Sequence, residues 1–241
     1  PEDEDLLEVA LDIIRARTLA ILRQFNDDLV RKSSVISFLA EAEIVSKLQL
    51  NLKDAQLDGV ELTEISLQKA QLEAVSFKNA HLEKAHFEGA NLRKAQFERA
   101  NLKDAYFQDA HLNGANFRFA NLEDAHLYNA RLEGAHLEGA NLTNARLKEA
   151  TFDYSDLKGA NLQEVHLQGA HLKDVNLENA NLRGANLQDA DLDRVNLKNI
   201  QFDDKTVWPD KSKMATANNI SDDLKVRLDL IDSSLSKDLT V

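Results

Sequence analysis

The chain has 241 residues, 43% of them apolar, which is enough to bury a sizeable core. Its formal net charge of -12 argues against a surface that seeks nucleic acid or anionic lipid, so no direct nucleic-acid partner is expected, and it favours basic partners. There is no cysteine, which excludes disulfides, thiol catalysis and cysteine-bound metal, and no apolar run approaches the roughly 20 residues of a membrane span.

The chain begins at Pro1, which leaves room for an upstream segment, a membrane anchor included; the residues present read as soluble and cytoplasmic. Residues 3–24 read as a helix, with Leu7, Leu11, Ile14, Thr18, Ile21 and Phe25 at helical spacing. Asp27 and Asp28 start a second helix that carries Val35, Phe38, Leu39, Ala42 and Val45. Residues 1–49 are thus expected to be an α-helical N-terminal segment, a helical hairpin capping the repeats that begin at residue 50.

From Leu52 to Phe202 every fifth residue is Leu or Phe, about 31 consecutive repeats. Two residues before each centre stands Ala in most repeats, as at Ala80, Ala85, Ala90, Ala95 and Ala100. A period of five makes no stripe on an α-helix, where each repeat advances about 140° past a full turn. On a flat strand it would throw alternate leucines into water. A chain that turns a corner every five residues resolves both problems, with the corner formed by the two residues after each centre. All eight glycines lie two residues after a centre, and Asn and Asp crowd the same slot, as expected where φ is positive. Phe recurs at 77, 87, 97, 107 and 117. In a four-sided coil of twenty residues this spacing stacks the rings on two opposite walls. Residues 50–204 are therefore expected to form a β-solenoid of about eight coils, at about 4.8 Å per coil a rod of roughly 37 Å. Burying a Leu or Phe per repeat, at about 1.5–3 kcal/mol each, offsets the ordering entropy.

The repeats A-(N/D)-L-x-x, such as Ala90-Asn91-Leu92 and Ala120-Asn121-Leu122, resemble the pentapeptide repeat family over about 155 residues. The resemblance implies a right-handed quadrilateral β-helix, in agreement with the corner argument. The stretch from Arg15-Ala16-Arg17-Thr18-Leu19 to Arg31-Lys32-Ser33-Ser34-Val35 is similar to the helical lead-in of cyanobacterial members, some of which carry membrane helices upstream. The resemblance also implies two kinds of role. One is a protein-interaction scaffold; the other, known in some members, is a DNA mimic that regulates or protects a type II topoisomerase such as gyrase. Those latter members generally lack a helical lead-in of this length.

The repeat fails at Lys205, and Thr206-Val207-Trp208-Pro209-Asp210 looks like the family's usual exit. Residues 205–241 are expected to be this exit loop and a C-terminal helix. Ser221 is a good N-cap, and Leu224, Leu228, Ile231 and Leu235 make one apolar seam. That seam serves either to cap the last coil or to pair two copies as a homodimer.

All seven histidines occupy the outward slot just before a centre. His86, Tyr106, His126, Arg146 and His166 should stack in one column, with the histidines about 10 Å apart, too far to share a zinc. Asn101, Asn121, Asn141, Asn161 and Asn181 should form a hydrogen-bonded ladder on another wall. No phosphate loop, nucleophile elbow or zinc helix motif is present. No catalytic residue, cofactor or metal is therefore assigned, and no enzymatic activity is expected. The excess negative charge falls on the wall centred on Leu62, Leu82, Leu102 and their successors. It carries Glu61, Glu64, Glu83, Asp104, Glu123, Asp124, Glu164, Asp203 and Asp204 against Lys84, Lys103 and Arg183. This wall is the candidate docking surface for a basic protein partner. A second candidate patch comprises Tyr106, His126, Tyr128 and, round a corner, Phe119.

Overall fold

A computed structural model describes residues 2–227 apart from residues 26, 48–49 and 215. Helix α1 spans Glu2–Gln24, α2 spans Leu29–Glu41, α3 spans Ile44–Lys47 and α4 spans Asp222–Arg227, with a single 3-10 turn at Lys211–Lys213. Between α3 and the 3-10 turn the chain is a solenoid. Parallel β-bridges join residues twenty apart, from Asn51–Gln71 through Asn181–Gln201, with one bridged residue per five-residue repeat. Four walls therefore make one coil. Each wall contributes a single bridged position, so the described residues of the solenoid contain no continuous strand.

The corners follow from the sequence as local turns. Leu52 O accepts from Ala55 N at 3.1 Å, and the same bond from centre to the third residue onward recurs around the rod. Positive φ falls on the second corner residue alone, at Asp54 (62°), Gly59 (69°) and so on to Asn199 (56°). These are the signs of a type II turn.

Each corner sends the next centre inward. Every centre from Leu52 to Leu197 is buried, as is the small residue two places before it. Inside, Phe77, Phe97 and Phe117 stack at 5.5 and 4.9 Å, while Phe87 and Phe107 stack at 5.0 Å on the opposite wall. The two columns meet edge to face at 6.0–6.1 Å, filling the lumen with the preferred aromatic geometries.

The first coil has no coil below it, and helices supply partners for its open edge. Arg15 Nε donates to Asn51 O (2.9 Å), and Glu61 N donates to Ser33 Oγ (3.1 Å). Asp28 caps α2 by accepting from Arg31 N, and Ile36, Leu39, Ala40 and Val45 are buried against the core. Two details differ from the sequence expectation. In α1 it is Thr18 and Leu22 that are buried, while Leu7, Ile14 and Ile21 face solvent; in α2 it is Ile36 that is buried, while Phe38 is 65% exposed. Both helices are apolar on several sides, so helical spacing alone does not choose the face that docks.

At the far end pairing continues past Phe202. Val207 bridges Asn186 and Asn218 bridges Asn196, at separations of 21 and 22, so the exit inserts residues without abandoning the walls. Trp208 meets Phe202 edge to face at 5.9 Å, and Met214 and Leu224 are fully buried over the last coil. Ser221 Oγ accepts from Leu224 N at the start of α4. Leu228, Ile231 and Leu235 lie outside the described residues.

Candidate binding surfaces

The register sets the acidic residues on one wall, since Glu61, His81, Asn101, Asn121, Asn141, Asn161, Asn181 and Gln201 form its line of bridged positions. That line holds the asparagine ladder. Asn121 donates to Asn101 (3.1 Å), Asn141 to Asn121 (3.0 Å), Asn161 to Asn141 (3.3 Å) and Asn181 to Asn161 (3.0 Å). Each acceptor oxygen also takes the backbone N–H two residues on, as Asn141 Oδ1 does from Thr143 N (3.2 Å). The ladder therefore fixes the rise between coils and the entry to each corner.

The carboxylates beside this ladder differ in what they do. Glu64 pairs with Lys84 (3.2 Å), and Lys103 pairs with Glu123 (2.7 Å) while lying 3.9 Å from Asp124. The hydrogen bond from Lys103 to Glu123 raises the ammonium above its ordinary pKa. Glu83 accepts from Asn101 and lies 3.6 Å from His81. Asp203 is turned onto the backbone, accepting from Gly184 N, Lys205 N and both Thr206 N and Oγ1. The Gly184 amide foremost among these holds its carboxyl below the usual range. Asp203 closes the exit turn, and Asp204 beside it is exposed. Glu61, Asp104 and Glu164 make no ion pair among the described residues, and neither does Arg183. The pairs on this wall lie at the solvent-exposed surface, where water and salt screen them, so they do not lock it against a partner.

The aromatic residues fall into separate places. Tyr106 is held in its column, stacked on His86 at 4.6 Å and tilted by 42° against His126 at 4.8 Å. Burial, and then the Arg146 guanidinium, push the His126 pKa below its ordinary value. Tyr128 is partly exposed and its Oη donates to Glu149 (3.2 Å). Phe119 occupies a positive-φ corner where the acidic wall begins, 57% exposed, with the Arg99 guanidinium 5.5 Å from its ring centre. The full width of the acidic wall separates it from His126 and Tyr128, so the structure does not gather these four into one patch.

The wall that carries Tyr106 and His126 also holds a hollow of about 620 Å³, lined by His126, Tyr128, Arg146, Lys148, His166 and Gln168 among others. Arg146 was visible in the sequence as a member of the histidine column, whereas Lys148 came from no motif. A smaller hollow of about 440 Å³ lies where Leu29, Val30 and Ser33 of α2 face Glu61. Among the described residues no three His, Asp or Glu side chains are grouped to hold a metal ion, and no helix is long and apolar enough to cross a membrane.

No curated protein matches the chain. Two family models do: a pentapeptide repeat region over residues 80–157, and pentapeptide repeats in eight copies over residues 51–89 and 160–199. Among solved structures, the chain is similar to a trypsin-treated variant of QnrB1, a plasmid-mediated fluoroquinolone resistance protein. That match has 21% identity over 63% of this chain and 79% of the other, with a TM-score of 0.52. It is also similar to Rfr23, a pentapeptide repeat protein from the cyanobacterium Cyanothece 51142 (26% identity, 73% of this chain and 98% of the other, TM-score 0.36). A third is HetL, involved in heterocyst differentiation regulation in the cyanobacterium Nostoc sp. strain PCC 7120 (25% identity, 66% and 87%, TM-score 0.29). With bridges every twenty residues, corners every five and the two family models together spanning most of residues 51–199, this chain is a right-handed β-helix and belongs to the pentapeptide repeat family.

Proposed function

We propose that this chain is a non-enzymatic protein-interaction scaffold, a four-walled rod of about eight coils closed by helices at both ends. Its acidic wall docks a basic protein partner. The observation that carries this reading is the state of that wall. It is a flat array of side chains at fixed rise, with Glu61, Asp104 and Glu164 in no ion pair among the described residues, Glu64 and Glu123 each paired with a surface lysine, and Glu83 accepting from Asn101. A convex rod whose lumen is filled by Leu, Phe and Ala offers recognition groups along its length. Among the described residues its hollows lie on the outer walls, unlike the enclosed apolar clefts in which enzymes tune a carboxylate or histidine. The hollow between α2 and Glu61, with Leu29 and Val30 exposed beside it, adds an apolar anchor at one end of the acidic surface. Replacing Glu61, Asp104 and Glu164 together by Gln, Asn and Gln tests the reading. Partner binding should weaken at least tenfold while the unfolding midpoint stays put, and undiminished binding refutes it.

A second reading is favoured by the likeness to QnrB1, named for fluoroquinolone resistance: an acidic rod that acts on a type II topoisomerase as a DNA mimic. The two Lys residues that neutralise part of the acidic wall weigh against it. Gyrase supercoiling measured with the purified chain decides, since no effect at micromolar protein rules it out.

A further inference from the structure

The wall that follows the acidic one in the chain does not satisfy its own polar groups as the asparagine ladder does. Its bridged column runs Tyr106, His126, Arg146, His166, and the corner column beside it runs Gln108, Tyr128, Lys148, Gln168. On the ladder the amide oxygens accept from the next coil, as Asn121 does from Asn141. Here the side chains of Arg146, His166, Gln108 and Gln168 make no hydrogen bond or ion pair among the described residues. Gln108 and Gln168 each bury an unpartnered Oε1, which leaves the amide N–H groups on the accessible side as free donors. All four side chains line the hollow of about 620 Å³, a volume in the range of small-molecule sites.

The order of groups along the rod says what the hollow takes. Arg146 and Lys148 belong to one coil and both line it, with Gln168 in the coil above Lys148 and Tyr128 in the coil below, each about 4.8 Å away in rise. Gln108 lies one coil further down, beside the partly exposed ring of Tyr128. A guanidinium fork, an ammonium and an amide N–H around one point suit an anion with several oxygens, and an exposed ring next to them suits a planar group. We propose that this hollow binds a small phosphate monoester carrying a planar ring, a nucleoside monophosphate being the type. Arg146, Lys148 and Gln168 hold the phosphoryl oxygens, and the ring lies against Tyr128 with its polar edge toward Gln108. Carboxylates limit the ligand's size and charge. Glu149 lies 3.6 Å from Lys148 and accepts from Tyr128 Oη, and Asp189 lines the hollow two coils beyond Glu149. With Asp124 and Glu164 at the preceding corner they repel a nucleic-acid strand, whereas a single phosphate has only the exposed Lys148–Glu149 contact to displace.

Equilibrium dialysis of the full chain against adenosine monophosphate provides the test. Binding should weaken at least about tenfold in R146Q/K148Q, with the circular dichroism unchanged because both side chains are exposed. R93Q/R131Q, the same change of charge on another wall, should alter it by no more than about twofold. E149Q should instead tighten it, a gain that damage to the fold cannot produce. Adenosine should be retained far less than its monophosphate. Inorganic phosphate should bind more weakly than adenosine monophosphate, by a margin that Y128A abolishes. No retention at ligand concentrations of about 5 mM, equal losses in R146Q/K148Q and R93Q/R131Q, or equal affinity for inorganic phosphate and adenosine monophosphate would overturn the proposal.

Discussion

Each corner from Asp54 to Asn199 holds one residue at a φ between 54 and 69°, yet only eight of these are glycine. An L-residue in this region costs about 1–2 kcal/mol, so the rod carries distributed backbone strain that its filled lumen offsets. Gly134 and Gly139 share a φ of +66° but differ in surroundings: a Cβ on Gly134 would meet nothing within 4 Å, whereas one on Gly139 would lie 2.7 Å from the Phe119 ring. Gly139→Ala should therefore lower the urea midpoint more than Gly134→Ala, which carries only the backbone cost of about 1 kcal/mol. In a Phe119→Ala background the difference should disappear, and its persistence would show that the ring is not the cause. Histidine gives the pH dependence at this scale. His126 is held below its ordinary pKa by burial and by Arg146, so the unfolded chain takes up the proton first as pH falls through about 6.5. Stability should decline from pH 7 to pH 5, and His126→Gln should flatten that decline in melts across the range.

The ladders are the elements of this fold, and they were legible in the sequence to different degrees. The ten-residue spacing of Phe77 to Phe117 implied two stacked columns, and the edge-to-face contacts between the columns arise once both fill one lumen. The asparagine ladder was equally readable from its twenty-residue interval. Less readable were the docked faces of α1 and α2, where Ile13–Ile14 and Val35–Ile36 put apolar groups on adjacent sides and only the first coil selects between them. Phe97 touches Phe77, Phe87, Phe107 and Phe117, so Phe97→Ala should cost about 3–5 kcal/mol and couple non-additively with Phe117→Ala. Asn141→Ala removes its bonds to Asn121 and Asn161 together with the acceptor for Thr143 N, a loss of about 1–3 kcal/mol. Both can be followed by urea unfolding, with hydrogen exchange resolving whether the coils nearest the change open first.

At the scale of the whole molecule, sorting the sequence by twenty residues places the acidic positions on one wall, because the bridges keep that register from Asn51 to Gln201. The same sorting misjudges Asp203. Beyond it one extra residue brings Val207 to bridge Asn186, and Asp203 turns inward to hold the amides of that shifted exit. Nor does it foresee that Phe119 lies a wall away from Tyr128, since contiguity depends on which corner a residue occupies and not only on its column. A rod of this kind recognises partners through whole walls, so the decisive test is made on one wall at a time. The most direct measurement is quantitative affinity capture from cells that make the protein, comparing the intact chain with the variant carrying Glu61→Gln, Asp104→Asn and Glu164→Gln. A basic protein should be held by the intact chain and depleted from the variant. Recovery of the same partners, in the same amounts, on both baits would contradict it.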